Sequence, residues 1–207
     1  MKKLFSTTII VCSIITTVHA AQVTVSSAFG GRQAVDAASS VLPNGNLVLV
    51  GTFATPANIT NGTFATVSAN AGWSQFSASS LAISSISTNG GKITGSLTDN
   101  VETSFNGKLL YVWIFNASTT GAATQEGIFS SSTWGNFPTQ AGGVGDTITY
   151  SFTSDANLVA SNSVGSTSAS QAKLVTIIPE PSTYALLGTG LLTAVPVLRR
   201  RKTEKSK

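Results

Sequence analysis

Reactive side chains are thinly spread along this chain of 207 residues. The only cysteine, Cys12, and the only histidine, His19, both fall in the first twenty residues. Between Gln22 and Ile178 the groups left for chemistry are six carboxylates, Asp36, Asp99, Glu102, Glu126, Asp146 and Asp155, and three indoles, Trp73, Trp113 and Trp134. Without Cys or His, that stretch can build no disulfide, Cys/His zinc site, Ser-His-Asp triad or Cys-His dyad. A carboxylate-dependent glycan hydrolase survives this exclusion, because two converging acids suffice for it. Spacing alone does not show whether any two of Asp99, Glu102, Glu126, Asp146 and Asp155 converge, and they read as ordinary solvated or turn residues. The expectation is therefore no enzymatic activity and no cofactor. Asn44, Asn46, Asp99, Asn100, Asp155 and Asn157 carry oxygen atoms that calcium accepts, but no Asp-x-Asp-x-Asp-Gly loop is present. They read as turn residues, so no metal site is expected. Gly142-Gly143-Val144-Gly145-Asp146 lacks the Gly-Lys-Ser/Thr ending of a phosphate loop.

The indoles offer a second chemistry, the stacking of sugar rings on exposed aromatic faces. Trp113 sits in a strongly apolar run and reads as core. Trp73 fits either role. Trp134, in the loop-like stretch Ser130 to Pro138, is the candidate glycan contact.

The elements that must carry these residues lie between two unusual ends. Lys2 and Lys3 precede a largely apolar run, Leu4 to Val18. Val18-His19-Ala20 then sets small or aliphatic residues at the −3 and −1 positions of a signal peptidase site. Residues 1–20 thus read as a signal peptide cleaved after Ala20. Cys12 follows the bulky Val11, which argues against a lipoprotein signal. At the other end, Tyr184 to Leu198 is fifteen residues without a charge. As a helix it covers about 22 Å. The hydrocarbon core is about 30 Å thick, and Thr183, a snorkelling Arg199 and local thinning extend the reach. A transmembrane helix is expected over about 183–198. Arg199, Arg200, Arg201 and Lys202 follow and should stay cytoplasmic, which leaves the body outside.

Pro179-Glu180-Pro181, then Ser182-Thr183-Tyr184-Ala185-Leu186-Leu187-Gly188, the apolar span and the arginine cluster together resemble the PEP-CTERM sorting signal. The resemblance covers residues 178–202, with a polar tail at 203–207. It implies an exported protein of a Gram-negative bacterium, first anchored in the inner membrane. It further implies processing near Pro179, Glu180 and Pro181 by an exosortase, with delivery to the cell surface or matrix. Pro179 and Pro181 fix φ and bias their neighbours to extended conformations that a membrane enzyme can grip.

Without its two ends the chain changes sign. From Gln22 to Ile178 only Arg32, Lys92, Lys108 and Lys173 are basic against six acids, a net charge of −2. A nucleic-acid partner has no basic patch to meet. The body, residues 22–176, is long enough for one domain with a core. Its strand-like runs alternate with turn signals. Val23 to Phe29 stops at Gly30-Gly31. Pro43-Asn44-Gly45-Asn46 reads as a turn before the strand Leu47–Phe53. Asn89-Gly90-Gly91 reads as a turn before Lys92–Leu97, and Asn106-Gly107 precedes Leu109–Phe115. That last run is unbroken in apolar character, so it should lie mid-sheet and be covered on both faces. Thr147–Thr153 alternates, and Lys173–Ile178 gives a last strand. Trp73, Phe76, Ser80 and Ile83 recur at three- to four-residue spacing, which suggests one short helix within 66–85. The expected fold is all-β, a single antiparallel sandwich or jelly roll.

The function expected from these readings is a structural or interaction protein of the cell surface or exopolysaccharide matrix. The alternatives are a carbohydrate-binding module or adhesin, and then the glycan hydrolase. The expected partners are exosortase, signal peptidase and the export machinery, the membrane before processing, and exopolysaccharide.

Overall fold

The fold is a computed structural model. It describes residues 21–26, 32–77, 79–86, 89–99, 105, 107–134, 136–137, 147–151, 157–168 and 170–178. Strands dominate and the arrangement is β-sandwich-like, as expected, with one α-helix among the described residues. The strands are β1 (Ala21–Ser26), β2 (Gln33–Val35), β3 (Leu47–Phe53), β4 (Trp73–Gln75), β5 (Leu81–Ile86), β6 (Asn89–Asp99) and β7 (Tyr111–Phe115). Then follow β8 (Gln125–Ser131), β9 (Thr147–Ser151), β10 (Leu158–Ala160), β11 (Ser166–Thr167), β12 (Gln171–Lys173) and β13 (Val175–Thr176).

One sheet runs β10-β8-β7-β3-β5-β6-β1-β9, with β4 added to β3 and β13 to β8. Its two halves meet through only two residue pairs, Leu47 with Ala82 and Val48 with Leu81. A smaller sheet runs β11-β12-β2. Most pairings are antiparallel, but β1 with β9 and β12 with β2 are parallel. Each parallel partner lies more than a hundred residues away in sequence, where no turn signal reaches.

Of the expected run Leu109–Phe115, Leu110 and the strand Tyr111–Phe115 are buried at every position, as the lack of alternation predicts, but Leu109 lies before the strand and is exposed. Successive side chains of a strand point to opposite faces, so β3 and β7 feed two cores. Val48, Val50, Val112 and Ile114 join Val23 and Val25 of β1, Ile83 of β5, and Ile93 and Leu97 of β6. Leu49, Phe53, Tyr111, Trp113 and Phe115 join Ile128 of β8 under the helix.

That helix, α1 (Phe64–Ala71), starts earlier than the spacing of Trp73, Phe76, Ser80 and Ile83 suggests. The Thr63 hydroxyl accepts from the Thr66 N–H, and Gly72 ends the helix in the left-handed region at φ 66°. A Cβ at Gly72 would come within 2.8 Å of the Ala54 methyl. Trp73 therefore opens β4, and Ile83 lies in β5. Asn89-Gly90-Gly91 is likewise strand rather than turn. All three belong to β6, and Gly91 adopts φ +73° beside a break in the β5–β6 register at Ser84 and Ile86. The expected strand Lys173–Ile178 is split at Leu174, whose side chain drops into the core.

Candidate functional site

The last described residues make a defined exit from the domain. β13 pairs antiparallel with β8, Val175 opposite Glu126 and Thr176 opposite Gln125. Beyond it, the Ile177 N–H donates to the Thr124 carbonyl at 2.9 Å. On the opposite edge the Asn61 side chain makes two bonds: its Nδ2 donates to the Thr176 carbonyl at 2.9 Å, and its Oδ1 accepts from the Ile178 N–H at 3.3 Å. Thr124 is itself fixed by Asn116, whose Oδ1 accepts from the Thr124 and Gln125 N–H groups at 2.9 Å each. Asn116 Nδ2 also donates to the Thr124 hydroxyl at 2.9 Å. The chain leaves this hold at Ile178, whose side chain is 60% exposed.

Beneath the exit lies Glu126, with no exposed surface. The Trp113 indole N–H donates to its Oε2 at 3.0 Å, and Oε1 accepts no well-formed hydrogen bond. Burial pushes the carboxyl up from 4.5 to about 7, against the opposing pull of the Trp113 N–H and of the Gly62 backbone N–H. A neutral carboxylic acid suits the setting, since one oxygen accepts from the indole and the group needs no counter-ion. Burial also raises the Tyr111 phenol in the same core and lowers Lys92 of β6.

Glu126 corrects the expectation of a solvated acid. It stands in β8, whose polar opening Gln125-Glu126 hides a buried strand from an alternation test. The register with Phe115 puts its carboxyl among the aromatic residues. Asp36, the other described carboxylate with a placed side chain, accepts from the Ala38 and Ser40 N–H groups at 2.8 Å and so holds its own turn. Among the described residues no three His, Cys, Asp or Glu side chains come together.

Trp134 is a second correction. It occupies a turn after β8, as its loop-like context suggests, but its ring is only 7% exposed and joins the core that holds Phe129 and Phe137. A buried ring offers no face to a sugar. Trp113 is fully buried, as read from its strand, and Trp73 is half-buried against Phe53 and Trp113. Ala20, Pro179, Glu180, Pro181, Arg199, Arg200, Arg201 and Lys202 lie outside the described residues. The expected span at 183–198 does too, and no helix among the described residues is long and apolar enough to cross a membrane. Asn61 and Asn116 escaped the sequence reading. Asn61-Gly62 is a turn signal, but nothing local marks the partner of an amide that bonds a chain segment more than a hundred residues away.

Residues 178–202 match a family model described as the PEP-CTERM protein-sorting motif. No curated protein and no solved structure matches the chain. The motif begins at Ile178, the residue where the Asn61 hold ends. It marks an exported protein sorted through the exosortase pathway, with exosortase as its processing partner and a membrane-anchored precursor in a Gram-negative bacterium.

Proposed function

We propose that the body is a structural or interaction component of the cell surface or exopolysaccharide matrix, without catalytic activity, delivered once its tail is processed. The observation that carries this reading is the abutment of the sorting motif on the described β-rich body. The matched segment starts at Ile178, two residues beyond β13, the last strand among the described residues. The body is then a cargo complete in itself, and the tail serves sorting alone. The two carboxylates with placed side chains support the non-catalytic part, since one is sealed in the core and the other holds a turn. Polar but uncharged Ser, Thr and Asn side chains suit contact with hydrated glycans and neighbouring proteins.

Cell fractionation with intact-mass measurement tests the proposal. The expected result is a product trimmed at both ends that co-purifies with surface or matrix material. An untrimmed chain dissolved in the cytosol removes the whole reading. A trimmed product found free in the medium and absent from surface and matrix removes the destination.

A further inference from the structure

We propose that Asn61 is a positioning residue for tail processing: its carboxamide stands in for the peptide group of a neighbouring strand and holds residues 176–178 extended up to the motif. This rests on the reading that the tail is processed in place on the folded body. An extended strand exposes its backbone groups alternately to its two edges. Here Thr176 and Ile178 are met on one edge by the two ends of the Asn61 amide, and Ile177 is met on the other by the Thr124 carbonyl. One side chain thus extends the β13 ladder by two residues without a further strand. Asn116 anchors the Thr124 side, so the segment is gripped from both edges.

The hold ends where the sequence takes over. Pro179 has no N–H to donate, and its ring disfavours helical backbone at Ile178. Asn61 and Pro179 therefore act on one residue from opposite sides, and both keep it extended. The backbone of Ile178 is tied while its apolar side chain projects into solvent, which is the presentation a strand-binding enzyme cleft requires. The hold also sets distance. Residues 179–183 separate Ile178 from the apolar run, and at most about 3.6 Å per residue gives a tether of about 18 Å. Releasing residues 176–178 would add about 10 Å of slack and let the body drift from the bilayer.

The test is a pulse-chase of precursor conversion in cells that carry the processing enzyme, using the full chain. Wild type is compared with Asn61→Ala, Asn61→Asp and a variant with Pro179, Glu180 and Pro181 all changed to alanine. Asn61→Ala loses both bonds. Asn61→Asp keeps an acceptor for Ile178 but sets an anion against the Thr176 carbonyl. Both should convert about fivefold more slowly, with faster amide exchange at Ile177 and Ile178 and an unchanged thermal midpoint of the purified protein. Should Asn61→Ala lower that midpoint, Asn61→Asp decides. Conversion within twofold of wild type in a stably folded Asn61 variant overturns the proposal. Normal conversion of the triple-alanine variant instead overturns the sorting reading beneath it.

Discussion

The two faces of β3 and β7 are built from alternate residues of the same strands, yet they solve different problems. One face is aliphatic at its centre: Val48, Val50, Val112 and Ile114 meet Val23, Val25 and Ile93. The other is aromatic: Phe53, Tyr111, Trp113 and Phe115 pack with Phe64 and Trp73, with ring centroids between 4.7 and 6.0 Å apart. The aromatic face also carries buried polar atoms that make no well-formed hydrogen bond, Glu126 Oε1, Trp73 Nε1 and Ser68 Oγ. On the first face stability comes from area removed from water and from fit. On the second, part of that gain offsets the cost of confined polar groups. The lesson is that the same strands can hold one face indifferent to pH and another that responds to it.

The sharpest way to break that contrast is Trp113→Ala. It removes a fully buried indole and the donor to Glu126, and should cost about 4 kcal/mol or more in denaturant unfolding. Ile114→Ala, one residue on and facing the other way, should cost about 3 kcal/mol by the cavity it leaves. Its loss should be the same at pH 5 and pH 8. A pH-dependent loss at Ile114 would erase the distinction between the faces.

Glu126→Gln sharpens the contrast. The folded carboxyl titrates near 7 against 4.5 in the unfolded chain, so between those values the folded state binds more protons. Stability from this group is full below about 4.5 and is lost as pH rises through about 7, by on the order of 3 kcal/mol in total. This is the reverse of an ion-paired acid. Gln cannot ionise but can still accept from Trp113. Unfolding curves of wild type and variant should therefore lie close together at pH 4.5, with the variant more stable at pH 8 by about 3 kcal/mol. Parallel pH profiles for the two proteins would show that Glu126 does not titrate in this range.

The smallest expected effect lies at the rim of the aromatic face. Asn162 Nδ2 donates to the carbonyls of Pro56, Ala57 and Ile59 at 2.9, 3.3 and 3.1 Å. Asn162→Ala should cost about 1 kcal/mol, read as a small drop in thermal midpoint. Part of that loss comes from the backbone, because Asn162 adopts φ 47°, where Asn is tolerated better than Ala.

The parts legible in sequence were those whose signal is local. Tyr111–Phe115 declares itself by unbroken apolar character, Leu47–Phe53 by a mostly apolar run, and Pro43-Asn44-Gly45-Asn46 by turn residues, with Gly45 at φ +84°. The sorting motif is legible for the same reason, as its order of elements is contiguous. What escaped depends on distant partners. β8 was missed because Glu126 breaks its apolar pattern, although the strand is central to its half of the sheet. Trp134 reads as exposed because its neighbours are small and polar, yet the ring is buried in the core that also holds Phe137. The spacing of Trp73, Phe76 and Ile83 imitated a helix because a strand, a connection and a second strand follow one another. Asn61 gave no sign of its role, since an amide bonding Thr176 and Ile178 has meaning only once the chain has closed.

The parallel pairing of β1 with β9 bears on when the fold can finish. Gln22 to Ser26 lie between β6 and β9, and Gln22 must wait for Thr147 before its second edge is filled. A pairing so distant along the chain closes late. Until β9 has been made, Gln22 to Ser26 therefore have only one of their two edges filled. Slow closure of this edge is thus a property of the topology itself, set by the sequence distance between the two strands.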